Sequence, residues 1–372
     1  MKLTSLPVAY TYDDLLLVPA HSNVIPDQVD VSTELCPGIF LPTPILSAAM
    51  DTVSEADMGI ALARVGGLAI LHKNMSIEEQ ARQVRLVKEA DPKGSRPALD
   101  AQGRLLVGAA VGANPELLSR AKALVDAGAD ILCLDSAHGD SQNVIDKVHE
   151  LRLAYPNLPI IAGNIVTPGA AKRLYEAGAN VVKVGVGPGS ICTTRVVSGV
   201  GVPQATAVDQ VVAIAKELGF GVIADGGIRY SGDVVKALAL GANAVMLGGM
   251  LAKAKEAPGE VREENGVFYK SYRGMGSLKA MTKGSADRYF QSSKGKLVPE
   301  GVEAEVKIEG TVEDIVFQIV GGLRSGMGYL GAANLKQLES NASFVQITSA
   351  GEIESHPHDV AMTKSAPNYQ KK

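Results

Sequence analysis

Short apolar runs recur along the chain, each bounded by glycine, proline, asparagine or aspartate. Eight of these runs have the length and composition of buried parallel β-strands. They cover residues 44–50, 67–71, 105–111, 130–135, 159–163, 180–185, 221–225 and 243–248. Segments between them, such as 115–126, 141–155 and 208–218, show the amphipathic spacing of helices. The pattern therefore predicts a repeated βα unit.

Glycines mark three joints of this repeat. Segments 127–130, 177–180 and 240–243 each place a glycine where a helix would end and a strand would begin. Eight such units favour an α/β fold whose strands close into a (β/α)8 TIM barrel. An open doubly wound sheet is the structural alternative, but its usual glycine fingerprint follows the first strand, whereas the glycine-rich loop here follows about the sixth.

Composition narrows the class of protein. The chain has 372 residues, of which 46% are hydrophobic, and a net charge of −4, so we expect a globular barrel domain over residues 1–372. Its 36 basic and 40 acidic residues favour neither a nucleic acid nor a membrane surface as partner. Three cysteines, together with the lack of a signal segment or a long apolar run, indicate a cytoplasmic protein.

Polar and glycine residues follow the predicted strands one after another. They are Met50-Asp51, His72-Lys73-Asn74, Asp135-Ser136-Ala137-His138-Gly139, Gly163-Asn164, Asp225-Gly226-Gly227 and Gly248-Gly249. In a (β/α)8 barrel these carboxyl ends meet on one face, where such enzymes place their active sites. The last two motifs follow the seventh and eighth strands, which is the usual phosphate site of the fold.

The loop at 185–195, GVGPGSICTTR, sets one cysteine in a glycine-rich turn directly after the sixth strand. Glycines allow the backbone to approach a phosphate, and clustered amide N–H groups attract anions and lower the pKa of a nearby thiol. Cys192 is therefore the candidate nucleophile. We expect Cys133, inside an apolar strand, to be a core residue and Cys36 to be a loop residue.

Two segments interrupt the repeat. Residues 91–103 form a polar, turn-rich link before the third strand. Residues 252–310 form a long charged excursion after the eighth strand, and excursions of that length are commonly lids. The excursion contains YRGMGS at 272–277 and DRYF at 287–290, which favours a finger or flap with functional groups over a solvated surface loop.

These motifs together resemble the IMP dehydrogenase family. The resemblance rests on 50–53, 72–76, 185–195, 225–228, 272–277, Arg288-Tyr289 and ESHPHD at 354–359, which span nearly the whole chain. Members usually carry two CBS modules after the helix here predicted at 77–89, so the short link at 91–103 indicates a form without them. GMP reductase shares the cysteine loop and is the alternative, but the excursion with Arg288-Tyr289 resembles the dehydrogenase.

The resemblance implies that IMP is oxidised to XMP, in guanine nucleotide biosynthesis, with NAD as hydride acceptor. The implied catalytic residues are Cys192, which would form a thioimidate, and Arg288, Tyr289, Thr194 and Glu300, which would serve its hydrolysis. The implied substrate-binding residues are Met50, Asn164, Ser190, Asp225, Gly226, Gly227, Gly248, Gly249, Tyr272, Gly274, Met275, Gly276, Glu300 and Gly301. The implied cofactor-binding residues are Asp135, Ser136, Ala137, Gly185 and Gly187.

The resemblance also implies a potassium ion and a homotetramer. Carbonyl groups of Gly187, Gly189 and Cys192 would bind the cation together with Glu354, Ser355 and His356 of a neighbouring subunit. Two routes for the hydrolytic base stay open. Arginine is a poor base because its guanidinium is protonated at ordinary pH, so a proton relay from Thr194 to Glu300 is the second route.

Overall fold

The computed structural model describes residues 6–292, 295–363 and 366–369. Its strands are β1 (Leu15–Leu17), β2 (Thr33–Cys36), β3 (Ile39–Leu41), β4 (Ile45–Ser47), β5 (Leu68–Leu71), β6 (Gly108–Val111), β7 (Ile131–Asp135), β8 (Ile160–Ile165), β9 (Val181–Val184), β10 (Gly221–Asp225), β11 (Ala244–Leu247), β12 (Val261–Glu264), β13 (Val267–Arg273), β14 (Glu303–Lys307) and β15 (Phe344–Gln346). Its α-helices are α1 (Ala56–Arg64), α2 (Ile77–Glu89), α3 (Leu117–Asp126), α4 (Gln142–Ala154), α5 (Pro168–Glu176), α6 (Thr194–Ser198), α7 (Gln204–Leu218), α8 (Ser231–Ala239), α9 (Gly249–Ala252), α10 (Leu278–Lys283), α11 (Val312–Tyr329), α12 (Leu335–Asn341) and α13 (Ser349–Glu354). Short 3-10 helices lie at Tyr12–Asp14, Pro26–Gln28 and Ser285–Tyr289.

Strands β4 to β11 form a closed parallel barrel in chain order. The barrel closes because β11 pairs with β4, with Val245 opposite Ile45. This confirms the predicted (β/α)8 fold and excludes the open doubly wound sheet. All eight predicted strands are present, although the third begins at Gly108 rather than at residue 105.

Side chains alternate between the barrel interior and the surrounding helices, as parallel strands buried on both faces require. On β7, Ile131 and Cys133 belong to the interior cluster, whereas Leu132 and Leu134 belong to the layer between strands and helices. The same alternation turns Asp135 and Lys183 inward at the carboxyl ends of β7 and β9, where they form an ion pair. The fold itself therefore places charged groups beneath the candidate site.

The predicted glycine joints end their helices as expected. After α3, α5 and α8, the glycines Gly128, Gly178 and Gly241 have φ values of +99°, +113° and +98°. A side chain would strain this backbone conformation, which lets the chain turn from helix to strand within a few residues. Cys133 lies in the core as predicted, but Cys36 is the buried last residue of β2 rather than a loop residue.

The link at 91–103 packs tightly against the barrel. Its Asp100 shares the ammonium group of Lys88 with Asp130, at distances of 2.9 and 2.8 Å. Arg64 at the end of α1 donates to the carbonyl of Asp91. The helix α2 is thus connected to β6 by a short segment with its own buried ion cluster.

The described part of residues 252–310, which we call the covering segment, is folded rather than loop-like. Strands β12, β13 and β14 form a three-stranded antiparallel sheet, and α10 and the 3-10 helix Ser285–Tyr289 follow β13. Arg273 at the end of β13 pairs with Asp51 after β4, and both side chains are less than 8% exposed. This pair fixes the segment over the carboxyl face of the barrel.

Candidate active site

The floor of the site is a buried ionic network at the ends of four neighbouring strands. The ammonium group of Lys183 lies 3.0 Å from Asp135 and 2.9 Å from Asp225, and it also donates to Asn164. The Asn164 amide in turn donates to Asp225 at 2.8 Å. One buried lysine thus holds both carboxylates.

Burial disfavours charge on Asp135 and Lys183, but opposite charges outweigh it. The Asp135 carboxylate lies beside Arg288 and Lys183, and its pKa is below its ordinary value. The two carboxylates likewise hold the pKa of Lys183 above its ordinary value despite burial. Both groups are therefore charged throughout the neutral range.

The cysteine loop follows β9 and lies against the covering segment. The Cys192 thiol donates to the Thr194 hydroxyl at 3.2 Å and faces the Glu300 carbonyl at 3.7 Å. Cys192 forms a β-bridge with Gly301, and the N–H of Thr193 donates to the Glu300 carbonyl at 3.0 Å. Residues more than 100 positions apart thereby form one wall of the site.

Two residues inside this wall are absent from the sequence-based site. Arg195 donates to the carbonyls of Val186 at 3.1 Å and Val202 at 2.6 Å, which closes the loop around its guanidinium. A Cβ at Gly187 would lie 2.5 Å from the Arg195 Cγ, so only glycine fits there. The side-chain amide of Gln204 donates to the carbonyls of Val184 and Asp225, so it bridges the carboxyl ends of β9 and β10.

The glycines predicted to bind a phosphate lie at the ends of β10 and β11, and those after β11 lie beside Ser190 and Tyr272. A Cβ at Gly248 would lie 3.0 Å from the Tyr272 hydroxyl, and one at Gly249 would lie 3.5 Å from the Ser190 hydroxyl. Ser190 and Tyr272 are hydrogen-bonded, and burial raises the pKa of Tyr272 to about 12. Tyr272 therefore remains a neutral hydroxyl donor well above neutral pH.

Arg288 in the covering segment reaches down to the floor. Its Nε lies 2.7 Å from one Asp135 oxygen and its Nη2 lies 3.2 Å from the other, while its Nη1 donates to the Tyr289 hydroxyl at 3.1 Å. Burial would lower the pKa of Arg288, but Asp135 raises it well above its ordinary value. In this arrangement the guanidinium is charged, so it has no lone pair with which to accept a proton.

The sequence-predicted residues surround one cavity of about 610 Å³. Its lining includes Met50, Asp135, Ala137, Asn164, Gly185, Gly187, Gly189, Ser190, Cys192, Thr194, Asp225, Gly226, Gly227, Gly248, Gly249, Tyr272, Gly274, Met275, Arg288, Tyr289 and Glu300. Ser136, Gly276 and Gly301 adjoin lining residues in the chain but do not line the cavity themselves.

The predicted cation ligands Glu354, Ser355 and His356 lie outside this cavity. The His356 ring is hydrogen-bonded to Tyr369 at 3.1 Å and lies 5.7 Å from the Tyr230 ring. Their contribution to a neighbouring subunit therefore stays a prediction. Among the described residues, no cluster of three or more histidine, cysteine or acidic side chains is placed to hold a metal ion.

The other two thiols are unsuited to nucleophilic chemistry. Burial raises the pKa of both Cys36 and Cys133 to about 12, and neither side chain lines the cavity.

Within the described part of the chain, no helix has both the length and the apolar character needed to cross a membrane.

Comparison with known proteins matches the chain to one family. The model of the IMP dehydrogenase / GMP reductase domain matches residues 9–358. The chain belongs to this family. The IMP dehydrogenase of Streptococcus pyogenes is 44% identical, over 98% of this chain and 98% of its own length. That of Halalkalibacterium halodurans is 43% identical, over 96% of this chain and 97% of its own length. The IMP dehydrogenase of Cryptosporidium parvum is 47% identical, over 97% of this chain and 98% of its own length.

Membership of the IMP dehydrogenase / GMP reductase family makes the chain an oxidoreductase on a barrel scaffold. The family description includes both a dehydrogenase and a reductase, so it does not by itself select the reaction. Of the three cysteines in the chain, Cys192 is the one that lines the cavity.

Proposed function

We propose that this chain oxidises IMP to XMP with NAD as hydride acceptor, in guanine nucleotide synthesis. The observation that carries the proposal is that Cys192, the Gly248-Gly249 turn and the Asp135 carboxylate line one cavity. This set suits a nucleotide bound by its phosphate, attacked at its base, and flanked by a second nucleotide. The names of the relatives support the dehydrogenase over the reductase.

The reaction divides at Cys192. The thiolate sulfur adds to C2 of the hypoxanthine ring, and the hydride on C2 leaves to the nicotinamide of NAD, which yields NADH and a covalent thioimidate. Water then adds to C2, and the carbon–sulfur bond breaks to release XMP, the thiolate and a proton. Thr194, whose hydroxyl lies 3.2 Å from the sulfur, is close enough to orient the water or the thiolate.

Substrate binding uses groups from both the barrel and the covering segment. The phosphate is bound by Ser190, Tyr272 and the backbone N–H groups of Gly226, Gly227, Gly248 and Gly249. Asp225 accepts hydrogen bonds from the ribose hydroxyls, with Asn164 and Met50 beside it. The base contacts Met275 and Glu300, and the backbone at Gly274, Gly276 and Gly301.

The cofactor side coincides with the position of Arg288. Asp135 is suited to accept hydrogen bonds from the nicotinamide ribose, and Ser136, Ala137, Gly185 and Gly187 lie around it. The Arg288 guanidinium already donates to the Asp135 carboxylate. The backbone carbonyl of Arg288 also accepts a hydrogen bond from the N–H of Ala137 at 3.0 Å. We therefore propose that the covering segment and the nicotinamide half of NAD alternate on Asp135, so that hydrolysis follows the departure of NADH.

The charge of Arg288 bears on the choice of hydrolytic base. While Arg288 is paired with Asp135 it positions Tyr289 and stabilises negative charge rather than removing a proton. The relay from Thr194 to Glu300 needs no neutral arginine, and both residues line the cavity. We propose this relay as the proton route in the arrangement seen here, with Arg288 holding the water site closed.

The potassium site is proposed at the carbonyls of Gly187, Gly189 and Cys192. Backbone carbonyl oxygens suit a hard monovalent cation. The hydrogen bond from Arg195 to the Val186 carbonyl stabilises the conformation of this part of the loop. The set would be completed by Glu354, Ser355 and His356 of another subunit in a homotetramer.

The link at 91–103 supports a form without CBS modules. The alignment with the Streptococcus pyogenes enzyme runs over 482 positions, which exceeds the 372 residues of this chain by 110. The alignment with the Cryptosporidium parvum enzyme runs over only 393 positions. At the place where the modules would be inserted, Lys88 of α2 pairs with Asp100 of the link and with Asp130, the residue before β7.

An assay with IMP and NAD tests the proposal. We expect NADH formation from the native protein and a fall of at least about 10³-fold in Cys192→Ala, because no other lining thiol can replace the nucleophile. Cys36→Ala is the matched control and should keep its activity. Consumption of NADPH with GMP, without NADH formation from IMP, would instead identify a GMP reductase.

A further inference from the structure

Asp287 attaches the covering segment to two loops of the barrel. One carboxylate oxygen lies 2.5 Å from the ammonium group of Lys73, and the other lies 2.6 Å from the side-chain amide of Asn114. Lys73 follows β5 and Asn114 follows β6, so the two donors come from neighbouring βα loops. The Lys73 side chain is only 8% exposed, whereas that of Asp287 is 27% exposed.

We propose that Lys73, Asn114 and Asp287 form a latch that sets the balance between an open site, which admits NAD, and a closed site, which hydrolyses the thioimidate. The inference rests on the proposed function. It assigns to these three residues a positioning role, since none of them lines the cavity.

The latch acts on Arg288 because Asp287 is its neighbour in the chain. Both belong to the 3-10 helix Ser285–Tyr289, so the pairs Asp287–Lys73 and Arg288–Asp135 form and break as one body. Without the latch, the closed position of Arg288 depends on Asp135 alone, which is the group that the nicotinamide ribose would use.

Close packing around the latch shows that the position is specific. A Cβ at Gly112, the residue after β6, would lie 2.7 Å from an Asp287 oxygen and 3.1 Å from the Lys73 Cε. The carboxylate therefore enters a space that only glycine leaves open. A second ion pair, Arg273–Asp51, attaches the end of β13 to the loop after β4. The side-chain amide of Asn74 also donates to Asp51, at 2.8 Å.

Separating the pairs shifts the equilibrium toward the open site. We expect Asp287→Asn and Lys73→Met each to lower the steady-state rate about 10-fold while the pre-steady-state NADH burst stays intact. NAD should at the same time inhibit more strongly, with an apparent inhibition constant lower by about 10-fold, because NAD competes with a closed state that is less populated. The double variant should show little further change, because both substitutions break one interaction.

These opposite effects distinguish a latch from general stabilisation. A merely structural role would weaken NAD binding and turnover together, and that result would overturn the proposal, as would an unchanged inhibition constant. Lys122→Met, which removes an exposed Lys–Asp pair of the same 2.5 Å separation on α3, is the control and should change neither quantity. A native protein that forms no NADH from IMP and NAD would refute the proposed function itself, and the latch with it.

Discussion

The floor and the cover of the site are built on different principles. The floor consists of Asp135, Asn164, Lys183 and Asp225, which the barrel brings together at adjacent strand ends and buries among each other. The cover reaches the same cavity through a segment attached by separate polar contacts, among them Arg273 with Asp51 and Arg288 with Asp135. The floor cannot change without disturbing the barrel, whereas the cover can detach contact by contact. We therefore expect floor substitutions to affect folding and every step, and cover substitutions to affect one step each.

Lys183→Met should produce the largest effect. It removes the cation shared by the buried Asp135 and the part-buried Asp225, and loss of one partner from a buried ion pair commonly costs about 3–5 kcal/mol. Urea unfolding should show a loss of that order, together with loss of IMP binding. Lys172→Met, at an exposed pair with Glu176, should cost less than about 1 kcal/mol. A Lys183→Met protein as stable as this control would show that the floor is not essential to the fold.

Arg288→Ala should have a smaller and more selective effect. Hydride transfer does not need the cover closed, so the NADH burst should remain, while steady-state turnover falls on the order of 10²-fold. Stopped-flow absorbance of NADH measures both phases in one experiment. Arg262→Ala, which removes an exposed pair with Glu305 elsewhere in the covering segment, should leave both phases unchanged. An equal fall in burst and turnover would assign Arg288 to the floor rather than to the cover.

The same division explains what the sequence could predict. The strands, the glycine joints and the polar strand ends follow from local patterns, so the sequence predicted the barrel and most of the residues that line the cavity. The β-bridge between Cys192 and Gly301, and the contacts of Asp287 with Lys73 and Asn114, join residues 109 to 214 positions apart. No local pattern records such pairings, because they depend on the path of the covering segment. Sequence reasoning therefore named both Arg288 and Asp135 but not the ion pair between them.

Tyr272 belongs to the covering segment, yet it lies beside the glycines of the proposed phosphate site. Removing its hydroxyl in Tyr272→Phe deletes one hydrogen bond to a charged group, so the KM for IMP should rise about 10-fold with little change in kcat. Burial raises the pKa of this hydroxyl to about 12, so it stays protonated and keeps donating up to pH 10. The ratio of KM values between variant and native protein should accordingly be constant from pH 7.5 to pH 10. A ratio that falls toward one as the pH approaches 10 would mean that Tyr272 titrates like an exposed tyrosine, and that the cover admits solvent at the phosphate end as well as at Asp135.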